Sequence, residues 1–547
     1  MRLFQMGMVM LTLIVLASCS SKKANLTAIP KDAGFIMVFD GKALSSKSGV
    51  DDFTQTKAYN KLISELSEDE MSHLSEFEYI FKDTKESGLG INDEFIFFTK
   101  MDDGNPSVGL VFSVLDRSKL DMLMKRLMDD EETDVEIIED ADISTIMLPD
   151  DEGVFAWNDN QFLILAHEEL AAEALLNEAK ALLKQSNSES INANKTYADF
   201  YEKKKDISLW FDYDMISKNM PPAQQMMIAS QLPFNMSGTS MNAYISFEKG
   251  KVVAKYESVL NDEMKKIMED YKFINDDFDT DVLKMLPKVS YANLEISINL
   301  FDYYHMFIDM YKEKQVNTEM YTKQVEQEVG MTIDEILNSF SGEMAISLHG
   351  IRMAEKTSST YAVNESGELE MQKKTSLQPE LLYSAVIKYN NDKIWNLIEE
   401  KASEMGLKKA GGYYSIPQAN ISIAYINSTM LITNDSVLIQ KELADGSIDP
   451  NMKSTEVASN LKSFPSYMEL NMDIDEYPED FIKYIKEEGK NYSDGIFNIL
   501  STYKSLKIIP TDIYSAKIVL ELKDDSKNSL DIILHNMDET TDLISKN

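Results

Sequence analysis

The feature that most constrains this chain is a recurrence: the order of elements in its first half returns in its second. Ile36-Met37-Val38-Phe39 and Phe95-Ile96-Phe97-Phe98 read as short strands, rich in β-branched and aromatic residues. A strand over 108–115 leads into a helix at Asp116, where Leu120, Leu123, Met124 and Leu127 recur at spacings of three and four and so share one face. Asp116 suits the N-cap of that helix. Phe155-Ala156-Trp157, the turn residues Asn158-Asp159-Asn160, and Phe162-Leu163-Ile164-Leu165 make a hairpin. In the second half, Leu286-Pro287-Lys288 leads into a strand over 291–300, as Ile29-Pro30-Lys31 leads into the first strand. A strand over 383–389 precedes a helix over 392–403, where Lys393-Ile394 matches Lys119-Leu120 and Leu397 matches Leu123. Residues 156–164 align without gaps to 424–432, which sets Trp157 against Tyr425. Residues 206–213 parallel 464–472. A closing hairpin over 241–260, turning at Lys249-Gly250, parallels 514–534, turning at Lys523-Asp524-Asp525. Each match is weak alone. Five in one order imply a duplication rather than two unrelated lobes built from similar elements.

The expected fold is therefore α+β: two tandem repeated modules, each an antiparallel sheet with helices packed on one side. The first module is expected over 28–261 and the second over 285–541. Between them, 262–284 reads as a junction helix and an acidic turn, with Met264, Ile267, Met268 and Tyr271 on one helical face. Residues 353–379 are polar and lack periodicity, and they stand where the first module has only 100–107. They are expected to form a long, mobile hairpin excursion.

The N-terminus carries an address. Arg2 supplies a positive charge, and an apolar run from Met6 to Leu16 follows, too short for the ~20 residues of a bilayer span. Leu16-Ala17-Ser18-Cys19 is the lipobox pattern: a branched apolar residue, two small residues that fit a narrow peptidase cleft, and the thiol that takes a diacylglycerol. Residues 1–18 are thus expected to be a cleaved lipoprotein signal peptide, Cys19 the lipidation site, and 19–27 a lipidated tether. Acyl chains contributing ~0.8 kcal/mol per buried CH₂ give durable anchoring. No aspartate and no acidic run follows Cys19. That favours the periplasmic side, with the cell surface as the alternative.

Cys19 is the only cysteine in 547 residues, so a lipidated chain keeps no thiol for a disulfide, a metal or a nucleophile. The formal charge is −38, and cleavage before Cys19 removes only the positive charge of Arg2. Such a field excludes nucleic acid and anionic lipid surfaces as partners. With 44% hydrophobic and 10% aromatic residues, the chain has the material for a core and is no disordered acidic tail.

Catalytic motifs fail at residues their chemistry requires. His73, His167, His305, His349 and His535 never fall at metal-ligand spacing, and His167-Glu168-Glu169 lacks the second histidine at Ala171. Asp40-Gly41-Lys42 has Ile36 where a phosphate loop needs glycine, and Gly238-Thr239-Ser240-Met241-Asn242 fails as a nucleophile elbow at Asn242. Asp277, Asp279 and Asp281 have calcium-loop spacing, but Val282 and Lys288 replace the glycine and the bidentate glutamate. No metal and no cofactor is expected. Met215, Met220, Met226, Met227, Met236 and Met241, with Pro221, Pro222 and Pro233, form an unusual stretch whose flexible thioethers suit packing within the module or an adaptable apolar surface.

Ile29-Pro30-Lys31-Asp32-Ala33 entering a strand that ends Phe39-Asp40, the turn Gly88-Leu89-Gly90, and the second entry at Leu286-Pro287-Lys288 together resemble the Bacteroidota lipoproteins grouped as a domain-of-unknown-function family, number 4836. The resemblance covers nearly all of the chain after the lipobox. It implies an envelope address and a shared fold, and brings no activity or catalytic residue. The function expected is that of an exported, membrane-anchored lipoprotein, a non-catalytic envelope binding or assembly protein for an envelope protein or an apolar ligand. The alternative is an envelope hydrolase acting on glycan or peptide through carboxylates. An enzyme needs a pocket of convergent, perturbed groups; a binding protein needs a contiguous apolar patch.

Overall fold

The computed structural model describes residues 27–50, 56–57, 87–102, 105–129, 136–148, 153–167, 170–218, 235–313, 319–363, 369–488, 497 and 499–544. Residues 1–18, expected as a signal peptide, Cys19 and all but Thr27 of the expected tether lie outside the described residues, as do His73, Glu168, Glu169 and most of the methionine-rich stretch.

The chain divides into two compact units. Unit 1 comprises Met1–Lys265 together with Asp524–Lys546, and unit 2 comprises Lys266–Lys523. Unit 1 contains β1 (Ala33–Asp40), β2 (Glu94–Asp102), β3 (Asn105–Ser113), β4 (Ile138–Asp140), β5 (Ile143–Met147), β6 (Gly153–Trp157), β7 (Gln161–His167), β8 (Ile207–Asp212), β9 (Ser240–Glu248) and β10 (Lys251–Val259). Their antiparallel ladders run β4-β5-β6-β7-β3-β2-β1-β8-β9-β10. Unit 2 contains β11 (Ala292–Ser297), β12 (Phe340–Val363), β13 (Leu369–Tyr389), β14 (Lys408–Ala410), β15 (Tyr413–Ile416), β16 (Ile421–Ile426), β17 (Thr429–Thr433), β18 (Ser466–Asn471), β19 (Tyr503–Asp512) and β20 (Ser515–Leu522). Its ladders run β14-β15-β16-β17-β13-β12-β11-β18-β19-β20, also antiparallel throughout. Adding ten to each strand number of unit 1 reproduces the order in unit 2. The fold is α+β.

Helices cover both faces of the sheet in unit 1, not one as expected. On one face, Leu175, Ala179 and Leu182 of helix Ala172–Lys184, with Tyr197 and Phe200 of helix Lys195–Glu202, pack on Ile36, Val38, Phe98, Val111 and Trp210. On the other, Leu120, Leu123 and Met124 of helix Arg117–Asp129, with Leu530 of helix Ser529–Ile544, pack on Phe39, Phe95, Phe112 and Phe162. The physical reason is read from the strands: β6 is buried at every position, so it alternates between two covered faces rather than between core and water. In unit 2, Leu438 and Ile439 pack on the face of Ala345 and Leu431, while on the opposite face Trp395 and Ile398 lie beside Tyr414 and Ile423 and the middle of the sheet stays exposed.

Two further expectations change. The second unit starts at Lys266 and ends at Lys523 rather than spanning 285–541, so the boundary falls within helix Asp262–Asp270. The closing hairpin of unit 2 is β19–β20, turning near Ile513-Tyr514, not 514–534. Asp512 makes that turn by accepting from the Tyr514 amide at 2.7 Å, while 529–534 is helical and returns Leu530 to the core of unit 1. Residues 353–379 are a regular hairpin: β12 and β13 pair continuously from Met353–Pro379 to Val363–Leu369.

The Trp157 and Tyr425 hairpins occupy equivalent register. Trp157 lies opposite Phe162 and Tyr425 opposite Met430. Trp157 Nε1 donates to Asp121 at 2.7 Å, and Tyr425 Oη donates to Asp392 at 2.7 Å, so each ring is tied to the helix that precedes it. Among the described residues, no helix is long and apolar enough to cross a membrane.

Candidate functional site

The residues singled out by motif do not converge. His167 is buried and accepts from the Leu170 amide at 3.1 Å through Nδ1. His305 meets Asp334 at 2.9 Å, His349 meets Ser384 at 3.0 Å, and His535 meets Glu539 at 3.3 Å. Asp279 is paired with Lys388, and Asp281 with Lys453 and Lys284, so lysines occupy the acidic turn. Those contacts hold both carboxyls below the usual range: against burial at Asp279, the Lys388 bond wins, and at Asp281 the lysine bonds dominate. Asp40 caps helix Gly41–Ser48 by accepting from Ala43, and a Cβ at Gly41 would stand 2.5 Å from the Asp93 carbonyl. Close backbone packing, not phosphate, explains that glycine. Ser240 opens β9. Among the described residues, no group of three or more His, Cys, Asp or Glu side chains could hold a metal.

Three features of unit 2 stand out instead. The first is a cleft of about 570 Å³, lined by Ile474, Asp475, Tyr477, Glu479, Ile482, Lys486, Phe497 and Ser501. Asp473 accepts from the Asp475 amide and starts the turn that places these residues, and Glu479 opens helix Glu479–Glu488. Tyr477 packs against Tyr291 with centroids 4.6 Å apart and ring planes tilted by 34°, and donates to the Asn471 carbonyl at 2.7 Å. Asp475 is engaged by Lys523 at 2.7 Å, and the Lys486 ammonium lies 5.0 Å over the Phe497 ring.

The second is an apolar row on one face of the sheet. Ile432, Ala385, Ile346, Leu294, Met468, Ile508 and Ile518 face one another in register across seven strands. Leu294, Ile346 and Met468, at its centre, are 41%, 50% and 39% exposed. Leaving such side chains in water forgoes about 25 cal/mol for each Å² of apolar surface.

The third is a charged layer on the opposite face of the same strands. Lys507 contacts Glu456 and lies 3.2 Å from Glu521 and 3.8 Å from Glu469. Burial pulls its ammonium down, but Glu456, Glu469 and Glu521 outweigh this and leave it raised. Burial raises Glu469, while Ser505 and Lys507 overcome burial at Glu521 and lower it. Glu295 is fully buried, with only the Asn293 amide as a donor, and burial with Glu469 nearby pushes its carboxyl up to about 8. A separate buried carboxyl, Glu442 on helix Ser436–Asp445, has neither oxygen hydrogen-bonded and is pushed by burial up to about 7.

Sequence patterning missed all three. Asn293-Leu294-Glu295-Ile296-Ser297 alternates like a strand with its polar side in water, and nothing local reveals that the polar side is the covered one.

A search of curated proteins and a search of solved structures each match nothing. A comparison with protein families matches residues 25–530 to the domain of unknown function DUF4836. That span takes in both units, the cleft, the apolar row and the charged layer, and the chain belongs to the DUF4836 family.

Proposed function

We propose that the chain is an exported lipoprotein, anchored through lipid on Cys19 and facing the periplasm, and that it serves the cell envelope as a non-catalytic binding or assembly protein. Two tandem copies of one module form it, a reading supported by the matching strand orders and by the equivalent Trp157 and Tyr425 hairpins. The observation that carries the binding role is the apolar row centred on Leu294, Ile346 and Met468. Exposed apolar side chains aligned over several strands mark surfaces that contact another protein or an apolar ligand. The lipobox around the only cysteine carries the anchor.

The hydrolase alternative would draw on the cleft. Glycoside hydrolysis needs one protonated and one ionised carboxyl, about 5–9.5 Å apart across the scissile bond. Asp475 is engaged by Lys523, which supports a structural role for it. The strongly shifted Glu295 is fully buried and reaches no substrate.

Two experiments test the reading. In cells fed a palmitate analogue, the wild-type chain is expected to label and to partition into detergent, and Cys19→Ala should lose both. Labelling that survives in Cys19→Ala would remove the anchor. A photo-crosslinking residue at Ile346 should then trap a specific adduct in intact envelopes, while one at Val437, which is 72% exposed on a helix, should not. Met468→Asp should lower the adduct yield at least about tenfold, a loss of ~1.4 kcal/mol. Equal trapping at both positions would sink the binding surface.

A further inference from the structure

The charged layer is not required by its architecture. In unit 2, Asn293 lies opposite Glu469, and Glu469 opposite Lys507. At the same places in the strand order of unit 1, Ile36 lies opposite Trp210, and Trp210 opposite Asn242. Unit 1 closes this part of its sheet with an aromatic residue on an apolar one. Unit 2 buries ionisable groups there, which is weak evidence for stability, because desolvation offsets most of the attraction.

The composition of the layer is unbalanced. Four carboxyls, Glu295, Glu456, Glu469 and Glu521, stand against one buried ammonium, Lys507, with the charge of Lys504 acting besides on Glu521. Lys507 is within ion-pair reach of the last three. Among the described residues, Glu295 receives only the Asn293 amide, at 3.0 and 3.2 Å. The elements packed around it are accounted for. β12 presents Ala345 and Ser347, both uncharged, and, opposite Ser297, the buried Glu343, which accepts from the Ser341 hydroxyl, while β18 presents Tyr467 and Glu469. β19 contributes Lys507 and β20 contributes Glu521. Glu456 reaches in from the segment before helix Val457–Asn460. A fully buried carboxylate with one amide donor, no cation and a second carboxylate across the strand is relieved by binding a proton.

We propose that this layer is a proton-linked switch: Glu295 holds a proton while β11, β18 and β19 are closed on one another, and release of that proton loosens those strands. The raised carboxyl, at about 8 against an ordinary 4.5, agrees with that geometry. Because the folded form holds the proton more tightly than the unfolded chain, its contribution to stability is complete below about 4.5. That contribution falls as pH rises and is exhausted above about 8. The switch does not rest on the binding surface proposed above.

Amide exchange of the full chain, followed by mass spectrometry and corrected for intrinsic rates, tests it. Protection of peptides covering 292–297 and 466–471 is expected to fall roughly tenfold per pH unit between pH 6 and 8, the linkage of one proton. Peptides covering β1 and β8 of unit 1 should hold steady. Glu295→Gln, which keeps the shape and cannot ionise, should flatten the response of β11 and β18. Parallel falls in wild type and Glu295→Gln, or no fall in wild type, would overturn the proposal. Should Glu295→Gln fail to fold, Glu469→Gln provides the check. Removing the neighbouring carboxylate should move the end of the fall to lower pH, and an unmoved profile would count equally against the switch.

Discussion

Trp210→Ala is expected to cost unit 1 about 4 kcal/mol of stability, the middle of the range for deleting a buried aromatic side chain, with no dependence on pH between 6 and 8. Trp210 is fully buried on β8, opposite Ile36 and Asn242, and its ring meets Tyr197 edge-on with centroids 5.7 Å apart. Tyr197 in turn lies 5.7 Å from Phe200, so the indole is the platform on which helix Lys195–Glu202 sits. The indole Nε1 is buried without a hydrogen-bond partner, so the loss on truncation is one of packing alone. Trp210→Phe separates the two effects. It keeps most of the contact and removes an unsatisfied donor, and should cost no more than about 1–2 kcal/mol. Chemical denaturation followed by circular dichroism reads both values. A Trp210→Ala cost under about 1 kcal/mol would mean that the helix is held by something other than this ring.

What could be read from sequence divides along a physical line. Local, short-range chemistry was legible. The Asn158–Asn160 turn and its counterpart at Asn427-Ser428, where both residues have positive φ, mark the two hairpins in sequence. The helix starting after Asp116 and the family resemblance were legible as well. The closing hairpin was misplaced because Lys523-Asp524-Asp525 looks as much like a turn as Asp512-Ile513-Tyr514 does. Each aspartate accepts from the amide two residues on, Asp512 from Tyr514 and Asp524 from Ser526, and only the ladder between β19 and β20 marks the first as the hairpin turn. The 353–379 segment was read as a hairpin from its polarity and its place in the order, without its strand register, because a ladder with polar residues on both faces has no hydrophobic period to detect. The charged layer was out of reach for a related reason. A period of two reports that Asn293 and Glu295 share a face, and it cannot report which face is covered. That depends on the segments packed over the sheet, among them Met452, Val457 and Leu461 against Ala345 and Tyr467, from a distant part of the chain.

Lys507→Met should destabilise unit 2 by about 3 kcal/mol at neutral pH, the lower end of the range for breaking a buried ion pair by removing one partner. The lower end applies because Glu456 reaches solvent and can turn outward, whereas Lys507 itself is only 9% exposed. Glu469 and Glu521 then lose the cation they share in a layer already holding Glu295, and only Lys504 still acts on Glu521. Their carboxyls rise above the ordinary range, so the variant binds protons more tightly folded than unfolded. Its deficit is therefore greatest above neutrality and shrinks as pH falls toward 4.5, the reverse of what acid does to a protein held by intact ion pairs. A second variant shows whether the charges or the shape matter. Glu469→Leu combined with Lys507→Met takes this part of the layer toward the apolar form seen with Ile36 and Trp210 in unit 1, and should recover at least half of the loss, since a buried ionic group replaced by apolar residues is often neutral or stabilising. Denaturant midpoints at pH 5, 7 and 9 decide the matter. If the single variant loses the same amount at every pH, or if the double variant is worse than the single, the energetics of this face are those of packing, and Lys507 is there for its aliphatic stem rather than its charge.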